Sequence, residues 1–231
     1  MRKTVAILAL AVISAVLAGC GGGGGGGTTA PSATPANIGS TTIVGEWVNQ
    51  ANDIIIFLDS GIYFYGTANA SGTGACEYGT YTWDQVTGAF SATPSSDQSD
   101  DIGFSGMSGG ITMMKSNSTL SISNQGSTTA FSKMLTDSSA PLMGTWISSN
   151  PGGFYTITYA PDGRLYVAMN AHGNMWYEYG TFSSGNAGTF NFTTTAASVQ
   201  GDIDSGHESY TINPSGTLTV DSVELTRLST D

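Results

Sequence analysis

Few side chains in this sequence are equipped for chemistry, and they are widely spaced. Glu77 and Glu178 each stand directly before Tyr-Gly-Thr, so one carboxylate recurs about 100 residues later. Such carboxylates either face a cationic or hydroxylated ligand at a barrel mouth, or sit as surface glutamates at a strand start or beside a Lys or Arg. Paired acid–base catalysis needs two carboxylates at a set separation, and spacing alone places no such pair. Asp202-Ile203-Asp204-Ser205-Gly206-His207-Glu208 is the densest polar run. It lacks the spacing of an EF-hand calcium loop, and His207-Glu208 has no second His four residues on to hold zinc. It reads as a solvated acidic turn, as do Asp97, Asp100 and Asp101. A Ser-His-Asp triad would have to recruit His172 or His207, and no Gly-x-Ser-x-Gly elbow is present. Gly21 to Gly27 lack the Lys and helix of a phosphate loop. No catalytic residue, metal or cofactor is expected, and the chain reads as non-enzymatic.

The remaining reactive groups are two thiols, Cys20 and Cys76. Arg2 and Lys3 precede a short apolar run, Thr4 to Leu17, too short to span a bilayer, which takes roughly 20 apolar residues. Its length and flanks are those of a signal peptide. Leu17-Ala18-Gly19-Cys20 resembles the lipobox of bacterial lipoproteins, in which small residues admit the peptidase and the cysteine thiol accepts a diacylglyceryl group. The alternative is an ordinary secretory signal with Cys20 incidental. The resemblance implies that residues 1–19 are removed and that Cys20 carries acyl chains (palmitate and its like) into membrane lipid. More than one chain is needed for stable anchoring. Gly21 follows, where an Asp would imply inner-membrane retention, so the outer membrane is the expected address. Residues 20–40 then read as a Gly/Thr/Pro/Ser tether with a reach of about 25 Å. Once lipidation takes Cys20, Cys76 has no intramolecular partner. It is either buried or pairs between molecules, and no His or basic neighbour activates it.

Without residues 1–19, Lys115, Lys133, Arg164 and Arg227 face 17 acids, a formal charge of −13 (4 − 17). Nucleic-acid binding needs clustered Lys and Arg, so a nucleic-acid partner is excluded. Charge is scarce and aromatics are plentiful, the reverse of a disordered chain.

The elements that must position these residues come from a duplication. Val44-Gly45-Glu46-Trp47 matches Met143-Gly144-Thr145-Trp146, and Asp59-Ser60-Gly61-Ile62-Tyr63 matches Asp162-Gly163-Arg164-Leu165-Tyr166. Glu77 to Tyr81 matches Glu178 to Phe182, and Gly88-Ala89-Phe90 matches Gly188-Thr189-Phe190. Asp101-Ile102 matches Asp202-Ile203, Thr119 to Ile122 matches Thr217 to Val220, and Ser132-Lys133-Met134 matches Thr226-Arg227-Leu228. The units are expected over 41–135 and 141–229. Within the second, Tyr155, Ile157 and Tyr159 alternate with Phe154, Thr156 and Thr158, the period of a strand. Pro161-Asp162-Gly163 and Asn213-Pro214-Ser215-Gly216 are turns. About eight short strands per unit with short connections predict an all-β protein: two tandem small antiparallel up-and-down β-barrels.

A Gly-x-Trp on the first strand, with a basic residue on the last, resembles the lipocalin/avidin (calycin) barrel. That resemblance implies that Trp47 with Lys133, and Trp146 with Arg227, plug one barrel end, with cation–π packing worth about 0.5–2 kcal/mol. The string Gly-x-Trp, Asp-Gly-x-Tyr, Glu-x-Gly-Thr-Tyr is also similar to repeats in bacterial lipoproteins. The aromatics, Tyr63, Phe64, Tyr166 and Tyr177 among them, either line a pocket or fill barrels whose interiors are only as wide as side chains. The expected function is a lipid-anchored, non-enzymatic envelope lipoprotein that binds a small or lipophilic ligand, with Glu77, Glu178, Tyr63 and Tyr166 as contacts. The alternative is an interaction module with solid barrels. Oligomeric state is not legible.

Overall fold

The computed structural model of the chain describes residues 43–68, 74–97, 102–134, 140–150, 153–171, 174–185, 188–198 and 205–228. The leader with Cys20, the Gly-rich segment, His172, Asp100, Asp101, Asp202 and Asp204 lie outside the described residues. The described chain is all-β and forms two closed eight-stranded antiparallel barrels in tandem. Barrel 1 comprises β1 (Gly45–Val48), β2 (Ile54–Phe57), β3 (Ile62–Ala68), β4 (Gly74–Trp83), β5 (Ala89–Asp97), β6 (Ile111–Ser116), β7 (Thr119–Asn124) and β8 (Ser127–Lys133). Barrel 2 comprises β9 (Gly144–Asn150), β10 (Gly153–Tyr159), β11 (Arg164–Ala171), β12 (Asn174–Ser184), β13 (Thr189–Ala197), β14 (Ser205–Ile212), β15 (Leu218–Val220) and β16 (Val223–Arg227). Each strand pairs with the next, and the last returns to the first. Two such barrels fit a calycin-like repeat.

Closure rests on a short seam in each barrel. Trp47 pairs with Lys133 and Val48 with Ser132, while Trp146 pairs with Arg227 and Ile147 with Thr226. Both barrels carry a bulge at one position, between Tyr78 and Gly79 and between Tyr179 and Gly180. Glycine is required there for space. A Cβ on Gly79 would sit 2.2 Å from the Thr93 carbonyl oxygen, and one on Gly180 would sit 2.1 Å from that of Thr193. The bulge tightens the local twist where the sheet curls into a barrel.

The pairing register corrects one sequence match by a residue. Gly61 and Gly163 are the equivalent turn glycines, with φ of +79° and +85°. Their amides return to Leu58 and Ala160 respectively. Tyr63 is therefore equivalent to Leu165, and Tyr166 to Phe64. A one-residue slip exchanges the faces of a strand. Tyr63 points into barrel 1, whereas Tyr166 points out of barrel 2. The shared Asp-Gly turn and Tyr, read as one block, hid the slip.

Two interior clusters fill the barrels, one around Trp47, Phe57 and Leu120, the other around Trp146, Tyr159 and Leu218. A third lies between them. Val48, Ile54, Ile56, Phe64 and Cys76 from the outside of barrel 1 pack against Phe154, Tyr166, Ala168, Met175 and Tyr177 from the outside of barrel 2. The aromatics thus have a role beyond lining or filling barrels, since Phe64, Tyr166 and Tyr177 join one barrel to the other. β2 is buried on both faces, which explains why Ile54 to Leu58 is an unbroken apolar run rather than an alternating one. Fully burying a side chain of this size contributes roughly 1.5–3 kcal/mol, so the shared face outweighs any isolated polar contact. Residues 38–231 form one compact unit.

Candidate functional site

At the seam end of each barrel the tryptophan is completely buried. Trp47 Nε1 donates to the Ile43 carbonyl and Trp146 Nε1 to the Leu142 carbonyl, both at 2.8 Å. Lys133 Nζ lies 5.9 Å from the Trp47 ring centroid, and the Arg227 guanidinium carbon lies 4.3 Å from that of Trp146. Arg227 also donates to the Met143 carbonyl at 2.6 Å and to that of Pro141. Each tryptophan thus packs with the basic residue opposite it at the seam of its barrel.

The opposite end differs between the barrels. In barrel 1, Glu77 is completely buried and accepts hydrogen bonds from Tyr63 OH at 2.7 Å and from the amides of Phe104 and Ser105 at 2.9 Å. The carboxylate thereby holds the 103–106 turn over the mouth, and Phe104 packs within 4.8 Å of Phe90 and 5.0 Å of Tyr63 between ring centroids. Glu77 and Tyr63 thus serve as the anchor of an aromatic stopper.

Barrel 2 presents polar groups at the corresponding positions. Register equivalences replace Ile111 by Glu208, Met113 by Tyr210, Asp53 by Tyr155 and Phe57 by Tyr159. Glu178, the equivalent of Glu77, is half-buried and accepts a 2.8 Å hydrogen bond from Trp176 Nε1. Glu208 is half-buried on the face it shares with Phe190. Burial, with the hydrogen-bonded carboxylate of Asp221 next in weight, pushes the Glu208 carboxyl up to about 8. Tyr155 is raised above the usual phenol range by burial, then by Glu178, Glu208 and Asp221. Tyr159, paired with Gly144, lies edge-on to Phe182 and Phe190 at 5.1 and 5.2 Å. It is fully buried and its hydroxyl has no hydrogen-bond partner. Burial raises it well above the phenol range, and Tyr155, Glu208, Tyr210 and Asp221 add to the shift.

Sequence reasoning singled out Glu178 here and counted Tyr155 and Tyr159 among the aromatics that line a pocket or fill the barrel, but missed Glu208 as an interior group, Asp221 and Tyr210. The signal was present in β14, where Glu208, Tyr210 and Ile212 alternate with His207, Ser209 and Thr211. His207 instead lies on the outer surface, 2.9 Å from Asn191 Oδ1.

A second buried carboxylate was also missed. Glu46, on β1 beside Trp47, is wholly buried between the barrels. It accepts hydrogen bonds from Thr145 Oγ1 at 3.1 Å and from Thr158 Oγ1, while its Oε1 and the nearby Tyr166 hydroxyl have no partner. Burial pushes this carboxyl up to about 7 against the opposing pull of the two threonines. Thr145 is the duplicate of Glu46, so the two copies of one position meet across the interface. Cys76 lies in the same apolar seam, with burial pushing its thiol up to about 12; it is unsuited to pairing between molecules. Among the described residues no group of three or more His, Cys, Asp or Glu converges as metal ligands would.

Comparison with protein-family models gives no match, and comparison with curated proteins gives none either.

Proposed function

We propose that this chain is a lipid-anchored protein of the bacterial cell envelope, held by acyl chains on Cys20 at the outer membrane, and that its folded unit is a non-enzymatic binding module. The small ligand binds within barrel 2. Barrel 1, stoppered by Phe104, braces it through the shared apolar face. The observation that carries this reading is the fully buried, unpartnered Tyr159 hydroxyl in the barrel that also holds the half-buried Tyr155, Glu178, Glu208 and Tyr210. Leaving a buried hydroxyl unsatisfied costs about 1–3 kcal/mol, and a bound polar ligand removes that cost. Small-molecule sites are mostly apolar with a few polar groups, and the interior of barrel 2, apolar around Tyr159 with half-buried Glu178 and Glu208, has that composition.

Two measurements test the reading. Cys20→Ser should move the protein from the membrane to the soluble fraction on cell fractionation, and a variant that stays with the membrane removes the anchor. Native mass spectrometry of the protein extracted from its own envelope should show an added small-molecule mass, whereas the bare polypeptide mass in every preparation speaks for a solid interaction module instead.

A further inference from the structure

Among the described residues the exposed large apolar side chains are Val86, 90% exposed, and Met114, 52% exposed. Both stand at one end of barrel 1. In this up-and-down barrel the odd strands begin and the even strands finish at a common end, which carries the β2–β3, β4–β5 and β6–β7 turns. Val86 lies in the β4–β5 turn, and its exposure belongs to an ordered loop. Asp84 Oδ1 accepts the amides of Val86 at 2.8 Å and Thr87 at 3.1 Å, an Asx turn that fixes the backbone. Half-buried Trp83 donates Nε1 to the Met113 carbonyl at 3.0 Å and so ties β4 to β6. A groove of about 180 Å³ lies beside it, lined by Trp83, Gln85, Met114, Lys115 and Asn117. The apolar face shared with barrel 2 takes no described residue from β5, β6 or β7, so this patch is left to solvent.

The chain also enters barrel 1 at this end. Ile43 and Val44 lead into β1, and the Ile43 carbonyl accepts the Trp47 indole N–H. Residues 20–40 read as a tether with a reach of about 25 Å, so an acylated Cys20 keeps this end, rather than the opposite one, nearest the bilayer. Charge agrees with that placement. Lys115 and Lys133 stand here against the exposed acids Asp59 and Asp84, whereas the chain as a whole is strongly acidic. Resting on the reading of Cys20 as a lipid anchor, we propose that this end of barrel 1 docks on the bilayer that holds Cys20. Val86 and Met114 enter the headgroup layer, Trp83 lies at the water boundary, and Lys115 meets lipid phosphate. Tryptophan favours that boundary, and a lysine stem lies along apolar surface with its ammonium in water. Two apolar side chains are too few to hold a protein on a membrane from free solution. The tether changes this, because it presents the patch to the lipid at an effective concentration on the order of millimolar. Docking then turns the β7–β8 turn, at the far end of barrel 1, toward water.

The test uses the full protein extracted from its own envelope and reconstituted in phosphatidylcholine vesicles, with and without doxyl-labelled lipid. With Cys20 acylated and Cys76 buried, Val86→Cys supplies one reactive thiol for a nitrobenzoxadiazole dye. Ser127→Cys supplies one at the opposite end of the barrel. Vesicle flotation reads the anchor, and the dye reads the docking. Emission from position 86 should shift to the blue and be quenched about twofold by doxyl lipid, as a contact populated through the tether would be. Position 127 should show neither effect, and adding Met114→Asp should relieve most of the quenching at position 86. Flotation without quenching at position 86 overturns the docking and leaves the anchor in place. Failure to float overturns the anchor, and the docking with it. Equal quenching at both positions overturns the assignment of this end. Position 86 shielded from aqueous iodide only as protein density rises, with no doxyl quenching, gives the patch to a second copy of the chain and overturns the lipid surface.

Discussion

Glu46 offers the sharpest test of how the two barrels are joined. Its carboxyl sits wholly between them, with ordinary value near 4.5 and folded value about 7. The direction fixes the sign. Between these values the unfolded chain releases the proton while the folded chain keeps it, so stability falls as pH rises through the window and levels off above about 7. At about 1.4 kcal/mol per pH unit, the loss is on the order of 3 kcal/mol. Glu46→Gln removes the titration yet keeps an oxygen for Thr145 and Thr158 to donate to. We expect this variant to match the parent within about 1 kcal/mol near pH 4.5 and to exceed it by about 3 kcal/mol at pH 8. For a unit of this size that is about 6–12 °C in melting temperature. Urea unfolding of both proteins at pH 4.5, 6 and 8 measures the difference directly, and subtraction removes the contribution of Glu208 common to both. Parallel stability profiles for parent and variant would falsify the buried-carboxylate account.

Two further substitutions probe the packing. Tyr166→Phe deletes a buried hydroxyl that has no partner and installs the residue type found at its duplicate, Phe64. It should leave stability unchanged or raise it by up to about 1 kcal/mol, and a clear loss in thermal melting would show that the hydroxyl is engaged. Gly180→Ala forces a Cβ against the Thr193 carbonyl and should cost more than about 2 kcal/mol. Gly110→Ala, which meets nothing within 4 Å, is its control and should stay within about 0.5 kcal/mol; equal effects in denaturant titration would contradict the bulge argument.

The ladder of duplicated motifs makes the barrels legible in the sequence. Gly-x-Trp, the Asp-Gly turn, Glu-Tyr-Gly-Thr and the final basic residue are local signals, and strand period and turn chemistry act over a few residues at a time. Those signals sufficed for the order and number of strands and for the Trp–base pairs across the seam. Register within a strand is not local, and there the match of Tyr63 with Tyr166 slipped by one. Glu77 and Glu178 were found together but diverge in setting, because the 103–106 turn that covers Glu77 folds back from elsewhere in the chain.

From its residues alone, then, this protein is a duplicated all-β chain whose short strands close on themselves, with a leader and Cys20 that set an expectation of lipid anchoring. Tertiary structure alone decided that the outer faces of the two barrels are not both solvated. Thr156 and Thr158 look like a polar, water-facing side in the sequence, yet they are buried against barrel 1, since a half-polar strand gives no sign of what approaches its outer face. The same long-range packing buried Glu46 and gathered Glu208, Asp221, Tyr155 and Tyr159 from strands far apart in sequence. Closure of a barrel brings such residues together, and no spacing rule along the chain encodes it.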